Sequence, residues 1–114
     1  MISIGSHTVT HPILTKCDNI TSKNEITDSK ISLEKILNTP IIHFAYPNGN
    51  YSEREIGYLK ECGYKMAFTT NPEYIKIDAM PDLFEIPRFD VLENVSYLEN
   101  ICRMTGIWFE KYKV

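Results

Sequence analysis

The apolar positions of this chain fall into short strand-like runs that alternate with helix-like stretches. Three runs read as strands, over 41–46, 64–70 and 83–89, because each is short, apolar and bounded by Pro, Gly or Asn. A strand remnant precedes them at 1–4. Strands that alternate with helices predict parallel pairing, which is an α/β architecture, and 114 residues allow at most one domain.

Capping signals predict where the first helix begins and ends. Ser22 is followed three residues later by Glu25, which is a capping-box pattern, and the helix would run to about Leu37. The sequence Asn38-Thr39-Pro40 then stops it. The apolar positions that would share its inward face are Ile26, Leu33, Ile36 and Leu37.

Two more helices follow from the same signals. The capping pattern recurs at 52–55 and predicts a helix that is closed by Gly63. A last helix begins at Asn94 or Ser96 and ends near Gly106. The positions expected to face inward are Ile56 and Leu59 in the former helix, and Val95, Leu98, Ile101 and Cys102 in the latter.

Two of the three histidines lie four residues apart, in the segment Gly5-Ser6-His7-Thr8-Val9-Thr10-His11-Pro12. In a helical turn, or a turn-like loop, this spacing places both imidazoles on one side of the backbone. Two convergent neutral imidazoles can share one divalent cation, although the spacing alone also fits two ordinary polar loop residues. His7 and His11 are therefore the candidate metal ligands.

Two later segments make the histidine pair more specific. The stretch 43–49, His-Phe-Ala-Tyr-Pro-Asn-Gly, ends a buried strand in a turn, and Ile86-Pro87-Arg88 ends another strand with a cation. Together the three segments resemble the polysaccharide deacetylase family, the NodB-homology domain of carbohydrate esterase family 4. The segment 7–12 looks like its zinc-binding histidine motif, and 44–49 looks like its FAYPxG variant motif. The resemblance extends from about residue 4 to residue 91.

The resemblance implies a fold, an activity and a cofactor. The fold would be part of a distorted (β/α) barrel. The activity would be metal-dependent hydrolysis of N- or O-acetyl groups on a polysaccharide or oligosaccharide. His7 and His11 would bind a divalent metal, with zinc as the expected ion, and Asp90 is the residue that we would test as a third ligand.

The resemblance also assigns roles to residues of the two later motifs. The backbone N–H of Asn48 would be an oxyanion donor. Tyr46 and Pro47 would shape the wall of the substrate groove. The classical third motif carries an Arg where this chain has Ala45, and Arg88 would supply a compensating cation that orients a carboxylate.

Two expected motifs are not found in the printed sequence. The family's Thr-Phe-Asp-Asp motif supplies the general base and the third metal ligand, and it precedes the histidine pair; here only six residues precede His7. A late Leu-x-His motif supplies the general acid, and no histidine follows His43. Residues 1–114 are therefore interpreted as one N-terminally truncated domain.

Three hypotheses remain open. The chain is an incomplete deacetylase, a non-catalytic remnant that binds glycan or a partner chain, or a small interaction module in which the HxxxH spacing is accidental. A piece of a barrel would expose strand edges and apolar faces, which predicts either marginal stability or self-association that covers the exposed edges.

The composition bears on which partners the chain could bind and on the cellular compartment in which it would fold. The net charge of −3 argues against nucleic-acid binding. No apolar run reaches the length of a membrane span, and the N-terminus lacks the pattern of a signal peptide. Proteins of the resembled family are often extracellular or attached to the cell envelope. The three widely spaced cysteines are expected to be reduced and partly buried, with one disulfide as the alternative.

Overall fold

The computed structural model describes residues 1–76 and 78–105. The elements in chain order are helix α1 (Asn19–Leu37), strand β1 (His43–Ala45), helix α2 (Glu53–Cys62), strand β2 (Met66–Phe68) and helix α3 (Tyr97–Thr105). Two short 3-10 turns lie at Leu14–Lys16 and Pro47–Gly49. The strands and helices alternate, as the hydrophobic pattern predicts.

The strands are parallel, and single bridges extend their sheet on both sides. β1 and β2 pair in parallel, with Phe44 opposite Ala67. Ser6 forms a parallel bridge to Phe44, and Ile86 forms one to Phe68. The described part of the chain therefore places Ser6, β1, β2 and Ile86 side by side in sequence order, which is the arrangement of consecutive β/α units. The predicted α/β architecture is confirmed.

The strand lengths differ from the prediction. The runs at 41–46 and 64–70 shorten to three-residue strands, and the predicted strands at 1–4 and 83–89 are reduced to the bridges of Ser6 and Ile86. Pro87 follows Ile86 directly, and it has no N–H with which to continue a ladder.

The core lies between the sheet and the first two helices. The Phe44 ring packs edge-on against Tyr46 at 5.6 Å and Tyr64 at 5.4 Å, measured between ring centroids. Ile26 from α1 and Leu59 from α2 are fully buried against this aromatic cluster. Each such side chain contributes about 1.5–3 kcal/mol through burial, so this layer carries much of the stability of the fold.

Helix α1 begins earlier than predicted. Asp18 is its N-cap, and the Asp18 carboxylate accepts a hydrogen bond from Thr21 N at 2.7 Å. Hydrogen bonds from Thr21 hold the pKa of Asp18 below its ordinary value. The predicted cap, Ser22, lies buried inside the helix.

The predicted end of helix α1 is confirmed, because Asn38 adopts the left-handed conformation at the C-cap. Ile36 is 76% exposed and Leu37 is 37% exposed, so the inward positions predicted for these two residues are wrong.

Helix α2 has the predicted bounds but a different contact at its start. Gly63 caps it in the left-handed conformation, and Ile56 and Leu59 are buried. The Ser52 hydroxyl donates to the Glu55 carboxylate, and no side-chain bond caps the backbone. The buried Glu55 also accepts from Arg54 Nη2 at 2.7 Å. This ion pair ties the start of α2 to the core.

Helix α3 is amphipathic but lies on the surface. Ser96 Oγ accepts from Glu99 N at 3.1 Å, which favours Ser96 over Asn94 as the start. None of the residues 97–105 is buried, and Leu98 is 70% exposed, so the predicted inward face is wrong for Leu98. The predicted end near Gly106 lies outside the described residues.

The remaining expectations concern cysteines and membranes. The cysteines are unpaired and partly buried, as predicted; they are Cys17, Cys62 and Cys102. Within the described residues, no helix has both the length and the apolar character needed to cross a membrane.

Candidate functional site

The sheet brings the predicted site residues to one edge. His7 follows the bridge at Ser6, Tyr46 follows β1, and Pro87 follows the bridge at Ile86. Because these strand positions are parallel, the residues that follow them lie at the same carboxyl edge. The histidine loop, the Pro-Asn-Gly loop and Arg88 therefore share the edge at which barrel enzymes build their sites.

His7 is fixed by a hydrogen bond to the neighbouring strand. Its Nδ1 lies 2.7 Å from the carbonyl oxygen of Ala45, the last residue of β1. A carbonyl oxygen only accepts, so His7 Nδ1 carries the hydrogen. In the neutral ring the lone pair then lies on Nε2, which is the arrangement of a histidine that binds a metal through Nε2. The contact selects both the orientation and the tautomer of His7.

His11 lies beside His7 through a turn-like loop rather than a helix. The two ring centroids are 4.7 Å apart, with an edge-on angle of 65°. Thr8 has φ +72° and His11 has φ +61°, so both occupy the left-handed region that non-glycine residues rarely adopt. Thr8 Oγ1 accepts from His11 N at 3.0 Å and closes the turn. Both imidazoles are exposed to solvent.

A carboxylate from α1 holds the middle of this loop. Glu25 Oε2 accepts from Val9 N at 2.8 Å and from Thr10 N at 3.0 Å. Glu25 Oε1 accepts from Thr10 Oγ1 at 2.5 Å. The sequence pattern assigns Glu25 to a capping box with Ser22, and that assignment is wrong. No spacing signal points to the real contact, because the partners are 15 and 16 residues apart.

The Pro-Asn-Gly loop presents a backbone donor. Pro47 is buried, Asn48 is exposed with φ +56°, and Gly49 has φ +75°. Within residues 1–76 and 78–105, the Asn48 N–H has no hydrogen-bond partner. A Cβ at Gly49 would lie 2.1 Å from Thr70 Oγ1, so only glycine fits this close packing of the loop.

The Tyr46 side chain lies in the core. Its ring is fully buried, stacks on Tyr51 at 4.7 Å and donates its hydroxyl to Phe84 O at 2.7 Å. Burial, followed by the neighbouring Tyr51 and then by nearby carboxylates, raises the pKa of Tyr46 well above its ordinary value. In this arrangement Tyr46 supports the loop from below, and its predicted contact with substrate stays a prediction.

Arg88 lies at the end of the neighbouring strand position. Its Nε donates to Thr69 O at 2.8 Å, and its backbone N donates to Asn71 O at 3.1 Å. The terminal guanidinium nitrogens have no partner among the described residues. Thr69 directly follows β2, so Arg88 is anchored at the carboxyl edge of the sheet. Its charged guanidinium group can still bind a ligand through the two terminal nitrogens.

The open face of the sheet forms a shallow cavity beside His7. Its volume is about 310 Å³, and its lining includes Gly5, His7, His43, Ala45 and Phe68. The His43 ring meets Phe68 edge-on at 6.3 Å. Over residues 1–76 and 78–105, no group of three or more His, Cys, Asp or Glu side chains is placed to hold a metal ion. The exposed Asp90 joins no such group, and its role as a third ligand stays a prediction.

Comparisons with known proteins agree with the motifs. The family model described as "Polysaccharide deacetylase" matches residues 2–67. YxkH of Bacillus subtilis (strain 168), which is named for that family, is 32% identical over 71 residues. That match covers 62% of this chain and 25% of YxkH.

Solved structures give the same result over most of the chain. The Streptococcus pyogenes deacetylase PplD, solved with acetate, superposes with a TM-score of 0.75 at 32% identity, covering 90% of this chain and 44% of PplD. The polysaccharide deacetylase BC0361 of Bacillus cereus superposes with a TM-score of 0.72 at 29% identity, covering 90% of this chain and 32% of BC0361. The chain therefore spans between 25% and 44% of the length of these three relatives.

Proposed function

Because the chain belongs to the polysaccharide deacetylase family, in its NodB-homology fold, we propose that it carries part of the active site of a metal-dependent carbohydrate deacetylase. The reaction is hydrolysis of N- or O-acetyl groups on a polysaccharide or oligosaccharide. The observation that carries the proposal is the adjacent imidazole pair, with the His7 tautomer selected by Ala45 O.

The imidazole pair fits two positions of a metal site. His7 offers Nε2, since its Nδ1–H is donated to a carbonyl, and His11 lies within reach of the same ion. A divalent metal, with zinc as the proposed ion, polarises a carbonyl oxygen and acidifies a water molecule when it is bound. Catalytic zinc sites ordinarily use three protein ligands, so a third donor must join these two.

The residues of the other loops have proposed roles around that site. The Asn48 N–H, which has no hydrogen-bond partner among the described residues, is suited to stabilise the oxyanion of a tetrahedral intermediate. The buried Pro47 and Tyr46 hold the Asn48 backbone in place and shape the groove. The guanidinium group of Arg88, anchored on Thr69 O, is suited to orient a carboxylate.

The second candidate is a non-catalytic domain that binds glycan or a partner chain. The metal-ligating side chains favour this candidate, because the described residues offer two adjacent histidines and no third ligand. The two candidates differ in whether the chain hydrolyses acetyl groups once the family's Thr-Phe-Asp-Asp and Leu-x-His motifs are supplied.

Acetate release tests the proposal. The chain is assayed with Zn²⁺ on acetylated chito-oligosaccharides and acetyl-xylan, both alone and fused to related segments that carry Thr-Phe-Asp-Asp before it and Leu-x-His after it. We expect acetate from the fusion and none from its His7→Ala/His11→Ala counterpart. A fusion that folds and binds zinc but releases no acetate would favour the glycan-binding candidate.

Self-association is a further part of the proposal. The apolar side chains Ile2, Leu37 and Ile42 are exposed around a cavity of about 290 Å³ at the amino-terminal end of the strands. We propose that a second copy of the chain covers this surface, because exposed apolar patches tend to associate. Sedimentation velocity should show a dimer that Ile42→Glu converts to a monomer, and a wild-type monomer at high concentration would contradict the idea.

A further inference from the structure

The loop that carries the two histidines depends on one carboxylate outside the motif. Glu25 lies on α1 and reaches the segment between His7 and His11, where it accepts hydrogen bonds from two consecutive backbone N–H groups and one hydroxyl. Partial burial raises the pKa of Glu25, but the bonds from Thr10 and Val9 outweigh burial and hold it below its ordinary value. The ionised carboxylate is the form that this contact needs.

The backbone on both sides of the contact is strained. Thr8 precedes Val9 and His11 follows Thr10, and both Thr8 and His11 have positive φ. Such conformations persist only where the surroundings hold them. The bond from His11 N to Thr8 Oγ1 closes the turn, but it does not anchor the loop to the rest of the fold. Glu25 supplies an anchor, because α1 packs its buried Ile26 into the core.

Both oxygens of Glu25 are engaged by the loop. Oε2 accepts two bonds and Oε1 accepts one, and all three are 3.0 Å or shorter. The carboxylate is therefore placed to hold the loop rather than to ligate an ion. This agrees with the finding that no three-donor group exists among the described residues.

We propose that Glu25 is the positioning residue of the metal site: its carboxylate fixes Val9 and Thr10 so that the imidazoles of His7 and His11 stay side by side. The inference rests on the proposed function, in which these two histidines bind the metal. Residues that orient metal ligands typically change metal affinity by about 10–100-fold when they are removed.

Three variants separate positioning from a general effect of charge. Glu25→Ala removes all three acceptors. Glu25→Gln keeps an oxygen for the backbone N–H groups and offers an amide to Thr10 Oγ1, so it should restore most of the geometry with weaker, neutral bonds. Asp28→Ala is the matched control, because Asp28 is an exposed carboxylate on the same helix with no hydrogen bond in the described residues.

The experiment is calorimetric Zn²⁺ titration of the 114-residue chain and these variants, with amide hydrogen exchange of Val9 and Thr10 in metal-free protein. We expect Glu25→Ala to weaken zinc binding by about tenfold or more, Glu25→Gln to lie between it and wild type, and Asp28→Ala to match wild type. The Val9 and Thr10 amides should exchange faster in Glu25→Ala while the core amides of α1 do not.

The outcomes distinguish the inference from the function on which it rests. Wild-type zinc affinity in Glu25→Ala, with unchanged exchange of the two amides, overturns the inference. If wild type binds no zinc, the proposed function fails, and the exchange rates alone decide whether Glu25 holds the loop. If Glu25→Ala does not fold, Glu25→Gln takes its place, and equality of Glu25→Gln with wild type in both measurements overturns the inference.

Discussion

Gly49 allows a direct test of how the Pro-Asn-Gly loop is packed. An added Cβ would meet Thr70 Oγ1 at 2.1 Å and Thr70 Cγ2 at 3.1 Å, and φ is +75°. The left-handed conformation costs a residue with a Cβ about 1–2 kcal/mol. Overpacking adds about 1–3 kcal/mol. Gly49→Ala should therefore lower the free energy of unfolding by roughly 2–5 kcal/mol.

Two other glycines separate these contributions. Gly63 has φ +94° with open space around its Cβ position, so Gly63→Ala should cost only the conformational part, about 1–2 kcal/mol. Gly57 lies in α2 with nothing within 4 Å of its Cβ position. Gly57→Ala should stabilise the protein by about 0.5–1 kcal/mol, because it replaces a helical glycine.

Urea unfolding followed by circular dichroism measures all three variants. Adding Thr70→Ala to Gly49→Ala removes the two atoms named above and should recover part of the loss, which a double-mutant cycle reports as a coupling energy. If Gly49→Ala costs no more than Gly63→Ala, and Thr70→Ala restores nothing, the loop is not packed on Thr70. The close packing of Gly49 on Thr70 would then be refuted.

Two further predictions concern buried polar groups. Tyr46→Phe removes the hydroxyl that donates to Phe84 O and leaves that acceptor unpaired, so thermal unfolding should report a loss of about 1–2 kcal/mol; no change would contradict the buried bond. Burial raises the pKa of Glu55, but bonds from Ser52 and Arg54 outweigh burial and lower it overall. A lowered native pKa stabilises the fold above the unfolded pKa, and this stability disappears as the pH falls through the native value. Urea midpoints from about pH 7 to pH 3 should therefore fall less steeply in Glu55→Gln than in wild type, and equal slopes would contradict it.

Local signals predicted the helix ends but not every start. Asn38 and Gly63 both adopt the left-handed conformation that closes a helix, and this depends only on neighbouring backbone. The sequence pattern at Ser22 fits a capping box as well as the pattern at Ser52 does, yet Asp18 caps the first helix instead. A short-range rule cannot choose between two good caps on one segment, because tertiary packing decides that Ser22 is buried inside the helix.

The motifs predicted which loops meet, and the unpredicted contacts are long-range. His7, Asn48 and Arg88 follow parallel strand positions, so the strand order alone places their loops at one edge. The contacts of Glu25 with Val9 and Thr10 join a loop to a helix face, and no periodicity encodes them. The hydrogen bond from Tyr46 to Phe84 joins residues 38 positions apart, and no sequence spacing predicts it either.

Zinc titration of the 114-residue chain by calorimetry, with the His7→Ala/His11→Ala variant as control, tests the central claim most directly. The proposed function predicts binding at about micromolar affinity or tighter that the double variant loses, with a third donor from this chain or from a second copy. Absence of binding in wild type, or equal binding in the double variant, would contradict a metal site at the paired imidazoles.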